Sequence, residues 1–274
     1  MSLIIGIGNI LIGVAYSVMG LQSLLETIAL HRYRGWSRFG LGFSLMAASC
    51  GPHHLIHGWH VLHGEPATGS MLAATLIGLP AGVSFVWLRL ETLLGRRGDR
   101  TFAMPTVAAV VAITAFALAT GWITSSSIAY PPVATAWISC TTSGLARQVT
   151  SFLGCDLTSF ILATNLFVTV TYGMVGWYLA DTQARRHATT GNWSLSGLSL
   201  VGIFLTCALL HLVHAFTTDG ATLAFDLLGV PASIYYLWIV GRLHNDLVVD
   251  WNRRPLVGVS TAPERSSPWN SVQI

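Results

Sequence analysis

Two stretches of this sequence place thiol and imidazole side chains at spacings that suit a metal ion. The first reads Cys50-Gly51-Pro52-His53-His54-Leu55-Ile56-His57-Gly58-Trp59-His60-Val61-Leu62-His63. On a helix, Cys50, His53, His54, His57 and His60 fall within about a third of the circumference. Cys50 and His54 stand one turn apart, as do His53 and His57, and neighbours at that spacing can chelate one ion. The second stretch repeats the pattern with Cys207, His211 and His214. Thiolate with imidazole suits Cu(I), zinc or iron, and thiolate softness tilts the choice toward copper. A lone imidazole in an apolar helix usually serves helix packing, and a lone buried thiol usually acts as a small hydrophobe. The doubled set points to metal instead.

The elements that carry these residues are apolar runs. The 274 residues are 53% hydrophobic and only 9% charged, against about 25% charge in soluble domains. A chain so poor in charge cannot coat a soluble globule, but it can face lipid. Runs of roughly 20 apolar residues, the length of a membrane-crossing helix, recur along it. They predict seven spans near 4–30, 39–62, 70–94, 103–125, 157–181, 195–216 and 221–243, so the expected fold is an all-α polytopic membrane protein. Period-two alternation of the kind a closed barrel needs is missing. The first run starts at Leu3 without a basic stretch before it and is long enough to span, so it reads as a helix rather than a cleavable signal. No lysine occurs anywhere, which excludes a retinal Schiff base.

Arginine marks alternate loops. Arg32, Arg34 and Arg38 follow the first span, Arg96, Arg97 and Arg100 the third, and Arg185 and Arg186 the fifth. The tail, from the end of the last span, carries Arg242, Arg253, Arg254 and Arg265, whereas the intervening loops hold Glu65, Arg147 and Asp219. The positive-inside rule then puts the N-terminus outside and the C-terminus in the cytoplasm. The net charge of +3 is spread over these loops and is no nucleic-acid signal. Cys140 and Cys155 fall in the long outer loop, where a disulfide staple is expected. The tail over 245–274, rich in Pro, Ser and Arg, is expected to be disordered.

An internal repeat organises the chain. Asn9, Tyr16 and Gly20 recur as Asn165, Tyr172 and Gly176, an offset of 156 each time. Cys50, His54 and His57 recur as Cys207, His211 and His214 at an offset of 157. Gly78, Pro80 and Trp87 recur as Gly229, Pro231 and Trp238 at an offset of 151. Copies four spans apart share one orientation, so the expected plan is a 3+1+3 parallel repeat about an axis near the membrane normal. Repeat A covers 1–95, a connector helix and outer loop 96–156, and repeat B 157–244.

The depth of each residue extends the site. Cys50 to His57 occupy the outer half of their span, as do Asn9, Asn165, Cys207 and His211. Asp226 lies just inside the outer end of the last span, as a candidate carboxylate ligand or partner of an imidazole. Its counterpart in repeat A is Thr75, so the copies are chemically unequal. The candidate metal ligands are therefore Cys50, His54, His57, Cys207, His211, His214 and Asp226. His53, His60, Asn9, Asn165, Tyr16 and Tyr172 are candidate supporting residues. His60 and His63 sit at the lipid–water boundary, where an interfacial role competes with ligation. Pro80 and Pro231 are read as kinks.

These residues resemble the three-helix ethylene-binding domain of ethylene receptors, over about 60 residues per copy. That family carries Cys-Gly-x-x-His-Leu-Ile-x-x-Trp on its second helix, matched here from Cys50 to Trp59, and a first-helix Tyr, matched by Tyr16. The resemblance implies Cu(I) at Cys50 and His54, and at Cys207 and His211 in the second copy, which lacks the Gly and Trp. It also implies that the tandem copy looks like a fused dimer. The family's first-helix Asp is Asn9 or Asn165 here, and its Pro is Gly20 or Gly176; a kinase domain is not expected.

Four functional classes compete. A copper-binding membrane protein in small-ligand sensing or metal handling would act through other membrane or cytoplasmic subunits. A haem b electron-transfer subunit would use His54 or His57 with His211 or His214 as axial ligands. A histidine-rich diiron or copper oxidase would want more carboxylates or histidines in one layer. An accessory structural subunit would need none of this chemistry. Transport finds no pathway of intramembrane charge through to the inner side.

Overall fold

The computed structural model describes residues 2–64, 67–94, 99–102, 119, 139–140, 151–152, 155–156, 158–217 and 223–245. Among these, six helices form: α1 (Ser2–Arg34), α2 (Arg38–Leu62), α3 (Gly69–Leu93), α4 (Thr158–Thr190), α5 (Leu195–Thr217) and α6 (Leu223–Asn245). The all-α class holds, with five two-residue strands beside the helices. The seven-span expectation is corrected. Four helices, α1, α3, α4 and α5, are long and apolar enough to cross a membrane. Length alone does not separate α2 and α6 from them, since these run 25 and 23 residues. In α2, His53, His54, His57 and His60 interrupt the apolar run, and α6 holds Asp226 in its first turn and Arg242 and His244 in its last. The predicted span over 103–125 and the tail over 246–274 lie outside the described residues.

The four apolar helices make this a membrane-embedded protein. On α1, Leu3, Ile7, Leu11, Val14, Val18, Leu21, Leu25 and Ile28 are exposed at helical spacing, forming one lipid-facing stripe. The opposite face buries Ile5, Asn9, Ile12, Tyr16 and Met19.

Helix ends show the chain's punctuation. α1 ends before Gly35 (φ +73°), whose N–H donates to the His31 carbonyl at 3.0 Å. α4 ends before Gly191 (φ +70°), whose N–H donates to the His187 carbonyl at 2.8 Å. A left-handed residue after the last turn satisfies carbonyls that would otherwise be orphaned, and glycine reaches that conformation without strain. His31 packs on Trp36 and His187 on Trp193 beside these ends. The N-cap of α2 is Ser37, whose hydroxyl accepts from Gly40 N–H at 3.1 Å.

The helices pack in matching pairs. α1 touches α2 and α3, and α4 touches α5 and α6. Across the middle α3 meets α5, and α2 meets α6. The common core gathers Tyr16, Phe43, Cys50, Phe85, Tyr172, Phe204, Cys207 and Tyr236. At one end, β1 (Thr101–Phe102) pairs antiparallel with a strand at Trp193–Ser194. There Asp99 accepts from Ser194 Oγ (2.8 Å) and Ser196 N–H (3.0 Å), capping the start of α5. In the long loop, strands Ser139–Cys140 and Cys155–Asp156 run antiparallel with the backbone of Cys140 opposite that of Cys155.

Glycine sets how close α2 comes to α1. A Cβ on Gly58 would lie 2.7 Å from the Gly6 carbonyl oxygen and 2.9 Å from Ile10 N, so the two backbones are in contact there. Backbone cannot step aside as a side chain can. Gly58→Ala is therefore expected to push α2 from α1 and to cost about 1–3 kcal/mol. A lowered melting temperature in detergent checks this; an unchanged one contradicts the close approach.

Candidate metal centre

The site lies where α2, α5 and α6 meet, with α1 and α4 behind. α2 presents His53, His54 and His57, each 1% exposed, because its polar face turns inward between the two sets of helices. α5 presents His211 and His214, also 1% exposed, and α6 presents Asp226, fully buried. The ligand atoms of His53, His211 and Asp226 lie within 4.8 Å of one another. Metal bonds of roughly 2.0–2.2 Å put two donors on one ion up to about 4.4 Å apart, so small side-chain shifts bring all three onto one ion.

Hydrogen bonds fix the rings. His53 Nδ1 pairs with Asp226 Oδ1 at 2.9 Å, and His211 Nδ1 lies 3.6 Å from the same oxygen. His211 Nδ1 also meets Asn165 Oδ1 at 2.7 Å. The Asn165 amide nitrogen donates to the Ile161 carbonyl (3.1 Å) and to Asp226 Oδ2 (3.2 Å), so its oxygen is the face left for His211. In the other half, His54 Nδ1 meets Asn9 Oδ1 at 2.8 Å. The Asn9 amide nitrogen donates to the Ile5 carbonyl (2.8 Å) and Thr75 Oγ1 (2.9 Å). An amide whose NH2 is already spent on acceptors offers only its oxygen, so His54 and His211 carry the proton on Nδ1 and a lone pair on Nε2. Tyr16 packs edge-on against His54 (ring centroids 5.2 Å apart), and Tyr172 against His211 (5.9 Å).

The remaining imidazoles close the cluster. His53 lies 4.7 Å from His211 and 4.5 Å from His214 between ring centroids. His214 Nε2 meets His57 Nδ1 at 3.3 Å. Among the described residues, His53 Nε2, His54 Nε2, His57 Nε2 and His214 Nδ1 are buried with no hydrogen-bond partner. Such atoms in an apolar interior cost free energy until something ligates or hydrates them.

The expected ligands thus divide. Asp226, His211 and the supporting residue His53 come together, with His57 and His214 touching beside them. Cys50 and Cys207 do not join that group. They are free thiols, buried, about one turn deeper along their helices. There Cys207 neighbours Cys50 and Tyr16, and Tyr172 neighbours Cys50. His60 is only partly buried, and His63 turns back onto the Trp59 carbonyl at 2.8 Å.

The centre is one-sided. By the sequence offsets, the positions equivalent to His53, His211 and Asp226 are Leu210, His54 and Thr75. One imidazole survives there, without the second imidazole or the carboxylate. Two residues outside the expected ligand set hold the site. Thr75 orients Asn9, and Ser49 donates to the Phe225 carbonyl (2.8 Å), tying α2 to α6 beside Asp226. The offset of 151 between Thr75 and Asp226 was the available signal for the first; nothing in the sequence marks the second.

Comparison with protein-family models, with curated proteins and with solved structures returns no match.

Proposed function

We propose that this chain is an integral membrane metal-binding protein that holds a copper ion at His53, His211 and Asp226. The observation that carries the reading is the compact, fully buried His/His/Asp group ringed by imidazole nitrogens without partners. Imidazole and carboxylate donors accept copper, zinc or iron, and the order of divalent affinities favours copper. The thiols of Cys50 and Cys207, a turn deeper, add soft donors of the kind Cu(I) prefers. The equivalent partners of Asn9 and Asn165, of Tyr16 and Tyr172, and of the caps at Gly35 and Gly191 support descent from a duplicated three-helix unit. The resemblance to ethylene-binding domains supports the same reading. The arginine-bearing loops support an N-terminus outside, which puts the centre near the outer face. The role that fits is small-ligand sensing or metal handling, with output through a partner subunit. Haem b gains less support, because His57 and His214 touch at 3.3 Å and leave no gap for a porphyrin plane between them.

The test is metal retention. Detergent-purified protein, loaded with copper and then exhaustively dialysed, is expected to keep about one copper per chain and to show no Soret band. A copper content near zero, or stoichiometric haem, refutes the reading.

A further inference from the structure

At the end of the bundle away from the metal centre, Trp238 on α6 holds two guanidiniums. Arg38 lies 5.7 Å and Arg242 5.6 Å from the centroid of its ring. Asp226 and Trp238 are twelve residues apart on one helix, so the two sites are separated by about 18 Å along it. Trp238 is 45% exposed, and both arginines are exposed. Among the described residues, neither guanidinium forms an ion pair with a carboxylate.

The placement is unusual in two ways. Arg38 opens α2, where a cation works against the positive end of the helix dipole, so local helix stability does not account for it. The equivalent position in the other half is also built differently. Trp87, at the offset of 151 from Trp238, donates its indole N–H to Glu91 Oε1 at 2.9 Å, and Glu91 pairs with Arg100 at 2.8 Å. Glu91 itself stands where Arg242 stands. One half hydrogen-bonds its interfacial tryptophan to an acid; the other surrounds it with two cations that, among the described residues, have no carboxylate partner.

We infer that Arg38, Trp238 and Arg242 form a seat for the headgroup of an anionic phospholipid. Tryptophan marks the level of the headgroups, where its amphipathic ring is favoured. Guanidinium offers paired N–H donors that match phosphate oxygens, and stacking on the indole preorganises it. Each guanidinium lies within 6 Å of the same ring centre, which keeps the two cations at most about 11 Å apart. The arginine-bearing end of a membrane protein is also where anionic lipid is met.

Native mass spectrometry of the full chain in detergent tests this, with phosphatidylglycerol and phosphatidylcholine offered at equal concentration. The natural chain is expected to retain phosphatidylglycerol preferentially. Arg38→Gln/Arg242→Gln is expected to bind it at least about tenfold more weakly, with each single variant partly impaired. Excess inorganic phosphate is expected to leave the lipid bound, because the acyl chains add burial that free phosphate lacks. Equal binding of the two lipids, unchanged binding by the double variant, or displacement by inorganic phosphate each overturns the proposal.

Discussion

Asp226→Ala is expected to lower copper affinity by more than about 100-fold, the largest loss of any single substitution. Removing a partner that merely orients a ligand costs about 10–100-fold. Asp226 is that and more: its Oδ1 meets His53 and lies 3.6 Å from His211, and its Oδ2 accepts from Asn165. The substitution removes a donor from the group of three and leaves two imidazoles without their anchor. Asp226→Asn keeps the shape but not the charge, and an amide is a poor cation ligand. It is expected to fold like the natural chain while still losing metal. Isothermal titration with copper, run beside a thermal melt, separates loss of affinity from loss of fold. An Asp226→Asn protein that binds copper at natural affinity contradicts the assignment of Asp226 to the centre.

Asn165→Ala is expected to lower copper affinity by about 10–100-fold, and Asn9→Ala by much less. Both asparagines hold an imidazole through Nδ1 and anchor to the carbonyl one turn earlier. Only Asn165 also touches Asp226, and only its histidine, His211, belongs to the group of three. Asn9 orients His54 with Thr75 as its second partner. The two substitutions delete the same atoms from equivalent positions, so helix packing alone predicts similar effects. A clear difference in copper affinity, by the same titration, is the expected result. Equal effects contradict the one-sided centre.

Much of the architecture was legible because it is periodic. Asn9 and Asn165, His54 and His211, and Tyr16 and Tyr172 share spacing in the sequence, and in the fold each asparagine meets its own histidine, on which its own tyrosine packs. The apolar runs placed five helices within about four residues of their observed bounds, whereas α4, expected to end at 181, runs nine residues further to Thr190. The membrane-crossing count was over-read: four helices meet the length and apolarity of a span among the described residues, and in α2 the four histidines interrupt the apolar run.

The centre was harder to see for a physical reason. Recurrent spacing draws attention to residues that occur twice, and so favoured Cys50 with Cys207 and His57 with His214. His53 has a leucine at its equivalent position, and Asp226 a threonine. These unduplicated residues meet each other at 2.9 Å across α2 and α6, a contact set by how the two helices cross rather than by spacing along either. The spacing of Cys50 and His54 on one helix likewise says that they share a face. It does not say what the face meets, and the thiols meet tyrosine and each other.

The most direct measurement compares the copper content of the natural chain with that of His53→Ala/His211→Ala, after identical loading and dialysis, with circular dichroism and gel filtration confirming that both are folded. About one copper per chain in the natural protein, and close to none in the variant, is the expected result. Equal copper in both, or none in either, contradicts a metal held by these imidazoles.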